Sequence, residues 1–190
     1  MLYKPAGYLS QFVYQKKRHK RLLSELYPFP QGTMAIGRLD EMSEGLLVLT
    51  TDGLISEYVR GAHFIKTYYA QVDGIITDEA ILELQQGVLI GLKGEKYRTK
   101  PCVVTSISPA LPPPTFKIRD ERHGPTSWIA LHLTEGKFRQ VRKMTAAVGF
   151  PTLRLVRISV GPFALHAMQP GEVKIVNVPL ESLRDLNSSF

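Results

Sequence analysis

Apolar positions along the chain fall into short runs with strand character, broken by two stretches with helical spacing. Met34-Ala35-Ile36 and Leu46-Leu47-Val48-Leu49 are apolar runs of strand length. Residues 66–74 are rich in β-branched and aromatic side chains and read as a strand. Further strands are expected at 88–90, 101–107, 127–134, 153–160 and 171–176. In the third of these Ile129, Leu131 and Leu133 alternate onto one face. The helical stretches are 77–85, with Thr77 as N-cap, an acidic first turn and Gly87 to close it, and 137–148. The latter has an apolar face of Val141, Met144 and Val148, ended by Gly149. Shorter helices are expected at 54–60 and 179–186, and a helical turn at 22–26 before Pro28 and Pro30. At the start, residues 1–8 read as a short strand stopped by Pro5 and Gly7. A strand at residue 1 leads to the expectation that nothing large precedes the core. The five prolines between 109 and 125 mark an exposed excursion. The pattern predicts an α+β protein: a mixed, mostly antiparallel sheet with helices packed on it.

The two apolar runs at 34–36 and 46–49 bracket Gly37-Arg38-Leu39-Asp40-Glu41-Met42-Ser43-Glu44-Gly45. Charged residues held between two strands suit a functional loop, because a rigid scaffold positions them. A solvated turn with Asp40 capping a backbone N–H is the plain alternative.

Composition narrows the choice. The chain has 190 residues with 44% hydrophobic and 22% charged content, ordinary for a soluble globular protein of one domain or two close subdomains. The single cysteine, Cys102, excludes an internal disulfide and points to a reducing compartment. No apolar stretch reaches membrane-spanning length, and the first ten residues do not form a signal peptide. A net charge of +7 fits an anionic partner, most simply nucleic acid. The run Lys16-Lys17-Arg18-His19-Lys20-Arg21 fits either a solvated loop or a grip on phosphates.

The chemistry left open is narrow. The five histidines are scattered and, with one cysteine, do not make a zinc site. No phosphate-binding or dinucleotide fingerprint is present, and no serine sits in a nucleophile elbow. Gly91-Leu92-Lys93-Gly94 reads as a hairpin turn. Asp40 and Glu44 make a conceivable glycosidase-like pair, but no helix fixes their separation. A single nucleophilic Asp40, with Glu44 structural, is the simpler reading. A carboxylate in an apolar cleft needs a nearby cation to stay ionised. The second informative stretch, Glu135-Gly136-Lys137-Phe138-Arg139-Gln140-Val141-Arg142-Lys143-Met144, offers one. No acidic residue occurs from 136 to 171, while Lys137, Arg139, Arg142, Lys143, Arg154 and Arg157 accumulate there. That is the electrostatic footprint of an RNA-backbone surface; a merely solvated basic helix is the alternative.

Gly37-Arg38-Leu39-Asp40, with Ser43-Glu44-Gly45-Leu46-Leu47-Val48-Leu49-Thr50 and Asp52-Gly53, resembles the first motif of the RsuA-like pseudouridine synthases. Lys66-Thr67-Tyr68 and the stretch 135–144 resemble two further motifs. The likeness covers nearly the whole chain and is greatest to the RluE type, which modifies large-subunit ribosomal RNA. Pro125-Thr126-Ser127-Trp128 and Val148-Gly149-Phe150-Pro151-Thr152-Leu153-Arg154-Leu155 fit that type especially well.

The resemblance implies one catalytic domain over 1–190, with two subdomains around a cleft and no separate N-terminal RNA-binding domain. It implies Asp40 as the catalytic residue, Arg142 as its basic partner, and Tyr68 as the active-site tyrosine that stacks on the target base. Arg38, Lys66, Lys137, Arg139, Lys143, Arg154 and Arg157 are expected to contact RNA. The reaction would isomerise uridine to pseudouridine without cofactor or metal, on a base turned out of its stack. A cytoplasmic monomer is expected. Two other classes remain: an inactive RNA-binding or ribosome-assembly module, and a base-releasing glycosylase using Asp40 with Glu44.

Overall fold

The computed structural model describes residues 1–13, 20–61, 64–179 and 181. It is an α+β protein with largely antiparallel sheet and, among the described residues, three α-helices. The chain divides into two compact units, Met1–Phe64 with Ser159–Phe190, and Ile65–Ile158.

In the first unit the strands are β1 (Leu2–Lys4), β2 (Tyr8–Leu9), β3 (Arg21–Leu22), β4 (Met34–Ile36) and β5 (Glu44–Thr50). β5 pairs antiparallel with both β1 and β4, while β2 and β3 pair in parallel. Leu46 and Leu47 on β5 are fully buried, as are Leu2 on β1 and Leu23. The expected turn near 22–26 is a single 3-10 turn, Leu23–Glu25, whose Glu25 carboxylate accepts from Leu22 N–H at 2.7 Å. Helix α1 (Gly53–Gly61) follows β5. Its start is capped by Asp52, which accepts from the N–H groups of Leu54 at 2.7 Å and Ile55 at 3.2 Å.

The second unit is built on β6 (Lys66–Asp73), which leads into α2 (Asp78–Gln86). Thr77 caps α2 by accepting from Ala80 N–H at 3.3 Å. Gly87 then turns the chain at φ +90°, where a Cβ would stand 2.3 Å from the Thr99 carbonyl oxygen, so both backbone and space demand glycine. β7 (Leu89–Leu92) and β8 (Glu95–Arg98) form a hairpin whose turn, Lys93-Gly94, has positive φ at both residues. β9 (Val103–Ile107) and β6 flank β10 (Thr126–Leu133), all antiparallel. Helix α3 (Gln140–Ala147) and most of β11 (Thr152–Val160) complete this unit; the end of β11, from Ser159, belongs to the first unit, where it pairs with β12 (Phe163–Ala164). The core of this unit gathers Ala70 and Val72 of β6, Leu84 of α2, Val104 of β9, Ile129, Leu131 and Leu133 of β10, and Met144 of α3. The sequence face Ile129, Leu131, Leu133 is therefore the buried face.

Several expectations need correction. The helix expected from 137 begins at Gln140, because Arg139 adopts a left-handed conformation, φ +53°, and residues 137–139 form a turn instead. The strand expected at 171–176 is reduced to one bridge, Leu2 to Val173. The strand expected from 101 starts at Val103. The polar strand β8 has no counterpart among the expected strands. The basic residues 16–19 lie outside the described residues, as does most of the helix expected at 179–186.

Candidate active site

The connection from β4 to β5 is fastened from several sides. Gly37 opens it with φ +74°. Leu39 is buried, and Ser10 grips its backbone twice: the Ser10 hydroxyl donates to Leu39 O at 2.9 Å and accepts from Leu39 N–H at 3.0 Å. The turn closes with Ser43 N–H donating to Asp40 O at 3.0 Å. Next to Asp40, the Glu41 carbonyl accepts from Gly7 N–H at 2.8 Å and from the Lys4 ammonium at 3.1 Å. Lys4 is fully buried and also donates to Pro5 O and Tyr8 O, both at 2.8 Å. The Glu41 carboxylate holds Lys20 through both oxygens at 2.8 Å. Asp40 is half-buried between these fastenings, and Arg38 is exposed. Glu44 is fully buried at the start of β5, which fits a structural residue rather than half of a solvent-facing carboxylate pair.

Sequence reasoning missed Lys4 and Ser10 as holders of this loop. The signal for Lys4 is a charge inside the apolar start Met1-Leu2-Tyr3-Lys4. A lysine there must find buried acceptors or leave the strand.

In the second unit Tyr68 stands opposite Leu131 on β6, half-buried against the core, and Tyr69 stands opposite Ala130 on the other face. Lys66, at the start of β6, is half-buried. Burial first, and the nearby Arg157 guanidinium second, press its ammonium pKa below the ordinary lysine value.

The stretch 135–144 is fixed by one acid. Glu135 accepts from Tyr97 O–H at 2.5 Å, from Lys100 N–H at 2.9 Å and from the Gln140 amide at 2.6 Å. Burial pushes its carboxyl up, but these three hydrogen bonds and nearby Lys137 together hold it below the usual range. Gln140, buried, also accepts from Lys137 N–H at 2.9 Å. The turn 137–139 is thus locked at both ends while its side chains are exposed. Arg142 is half-buried on α3, with a guanidinium N–H donating to Thr152 O at 3.3 Å. Lys143 donates to Gly91 O at 2.6 Å.

Arg154 and Arg157 depart from the expected solvated basic surface. They are only 3% and 4% exposed. Three apart on a strand, they face opposite sides, so β11 is covered on both faces. Arg154 donates to Pro112 O at 3.0 Å, fastening the proline-rich excursion. Arg119 fastens the other end of that excursion through an ion pair with Asp73.

The structure places Asp40 and Arg38 in the first unit. It places Tyr68, Lys66, Lys137, Arg139, Arg142, Lys143, Arg154 and Arg157 in the second. Cys102 offers no thiolate near neutral pH: burial, with Glu135 nearby, pushes its thiol up to about 11. Among the described residues no helix is long and apolar enough to cross a membrane.

Comparison with known proteins gives a consistent answer. The family model for RNA pseudouridylate synthase matches residues 1–147. Ribosomal large subunit pseudouridine synthase E of Xanthomonas axonopodis pv. citri is 42% identical over 174 residues, 90% of this chain and 89% of that one. The protein of the same name from Vibrio vulnificus is 40% identical over 93% of this chain and 74% of its own. Among solved structures, a crystal structure of pseudouridylate synthase superposes with a TM-score of 0.72 at 24% identity, covering 97% of this chain and 71% of that one. That last likeness is one of fold.

Proposed function

The chain belongs to the RNA pseudouridylate synthase family, and from that premise we propose that it isomerises a uridine of large-subunit ribosomal RNA to pseudouridine, with Asp40 as the catalytic carboxylate. The substrate reading is supported by relatives about 40% identical over nine-tenths of the chain that bear the large-subunit name. One observation carries the catalytic reading. The loop of Asp40 has its neighbours Leu39 and Glu41 bound to Ser10, Gly7 and Lys4, so its carboxylate is presented from a fixed backbone.

Substrate and product are isomers, so the reaction needs no redox partner and no group donor. The bond from ribose C1′ to uracil N1 breaks, the uracil turns, a bond from C1′ to C5 forms, the C5 proton is removed and N1 takes up a proton, so that atoms and charge balance. Asp40 drives the first step, by attack on the sugar or by taking a ribose proton. Tyr68 stacks on the uracil and its hydroxyl assists removal of the C5 proton. Arg142 is the basic residue assigned to keep Asp40 ionised during the reaction. The base leaves its stack to be reached, and stacking and phosphate contacts offset that cost. Lys137 and Arg139, exposed on a locked turn, with Arg38, Lys66 and Lys143, are the phosphate contacts. Arg154, being buried, serves instead to hold the excursion through Pro112, and Arg157 is buried as well. The protein acts in the cytoplasm as a monomer.

The test is a map of pseudouridine in ribosomal RNA from cells with and without this gene. One large-subunit position is expected to revert to uridine when the gene is removed. An unchanged map contradicts the proposal.

A further inference from the structure

Phe138 is 71% exposed, the most exposed aromatic ring among the described residues. An apolar ring in that position costs solubility and adds nothing to the core. It sits in the locked turn between Lys137 and Arg139, both exposed. The Lys143 ammonium lies 5.2 Å from the ring centroid, and its hydrogen bond to Gly91 O holds it there. On the other side the Lys137 ammonium lies 4.9 Å over the Tyr97 ring, whose hydroxyl is tied to Glu135. The backbone of this turn holds the ring at the surface. Its backbone is fixed by the left-handed Arg139, by Gln140 N–H donating to Lys137 O at 3.1 Å, and by the Gln140 side chain on Lys137 N–H.

We propose that Phe138 is a stacking platform for an unpaired base of the RNA substrate, a nucleotide other than the target uridine, with Lys137 and Arg139 on the flanking phosphates. The chemistry favours nucleic acid over a protein partner. A single exposed aromatic ring, with the Lys143 ammonium against it and cationic residues on either side in sequence, has too little apolar area for a protein hot spot. A base flanked by phosphates matches both the ring and its surrounding charge. The inference rests on the RNA-modifying reading of the chain and extends it from the target base to a neighbouring one. Because stacking tolerates any base, Phe138 would set how firmly the flanking strand is held rather than which sequence is read.

The test uses the full chain and a single-stranded RNA oligonucleotide carrying 2-aminopurine, with binding and fluorescence followed as salt is varied. Phe138→Ala is expected to weaken binding roughly tenfold and to abolish the stacking-induced quenching of 2-aminopurine. It is expected to leave the salt slope unchanged, since no phosphate contact is lost. Phe138→Tyr, which keeps a stacking ring, is expected to restore both signals, and Phe138→Leu to restore neither. On large-subunit ribosomal RNA, Phe138→Ala should raise KM and leave kcat close to the parent value. Binding and quenching by Phe138→Ala indistinguishable from the parent would overturn the proposal, as would full rescue by Phe138→Leu. A parent protein that binds the oligonucleotide but forms no pseudouridine contradicts the proposed activity instead, so the two failures are told apart.

Discussion

The loop of Asp40 and the turn of Lys137-Phe138-Arg139 are both short charged connections, yet they are held in opposite ways. The Asp40 loop is bound by groups more than 25 residues away in sequence, Lys4, Gly7 and Ser10, and Leu39 beside Asp40 is buried. The 137–139 turn is bound by its own neighbours Glu135 and Gln140, anchored in turn to Tyr97 and Lys100, and its side chains face solvent. The difference separates two jobs. A reacting carboxylate needs a position fixed by the folded unit as a whole. A surface that meets a flexible polyanion needs a firm backbone and reachable side chains.

Unequal costs of substitution follow from this difference. The largest belongs to Lys4. Lys4→Met removes the donor of three carbonyls in the interior, and is expected to destabilise the protein by about 3 kcal/mol in urea unfolding. A change below about 0.5 kcal/mol would mean that the Asp40 loop does not depend on this lysine. Ser10→Ala should cost roughly 1–2 kcal/mol, from two hydrogen bonds lost at Leu39. It should also lower kcat more than KM, because it loosens the loop and leaves the RNA-facing turn alone.

Effects at the turn should be smaller and depend on pH. The Glu135 carboxyl is held below its ordinary value of 4.5 in the folded protein. Its contribution to stability is therefore fully present above about 4.5, and is lost as pH falls through the lower folded value. Glu135→Gln should cost about 1 kcal/mol at neutral pH, since the site is only partly shielded from water. The gap to the parent should close as the medium becomes more acid than the folded pKa. A gap that stays constant into acid would refute the ionic role of Glu135. The smallest effect on stability is expected of Lys137→Ala, within about 0.5 kcal/mol of the parent. Its mark should appear in RNA binding, where the dependence of log affinity on log salt flattens by about 0.7 for a single-stranded contact. An unaltered slope would take Lys137 off the phosphate-binding surface.

The two regions also differ in how far the sequence discloses them. Strands 34–36, 44–50 and 66–73 announce themselves by composition, and α2 by Thr77, its acidic first turn and Gly87. The motif around Asp40 is visible for the same reason, as charge between two apolar runs. Its fastenings are not visible, because Lys4 and Ser10 act across 37 and 29 residues and no local spacing encodes that. β8 escapes notice because Glu95-Lys96-Tyr97-Arg98 has no apolar alternation; its pairing comes from the Lys93-Gly94 turn. Arg154 and Arg157 mislead in the other direction. Arginine on a strand reads as surface charge, and only tertiary packing reveals that both faces of β11 are covered. The left-handed Arg139 shortens α3 against a pattern that is helical from Lys137 onward.

The most direct measurement compares Asp40→Asn with the parent on large-subunit ribosomal RNA, reading pseudouridine formation, RNA affinity and thermal unfolding on the same samples. This substitution keeps the size of the side chain and leaves the loop's backbone bonds in place. No detectable pseudouridine is expected from the variant, with affinity within about threefold of the parent and an unfolding transition little changed. Turnover by Asp40→Asn comparable to that of the parent would contradict Asp40 as the catalytic carboxylate.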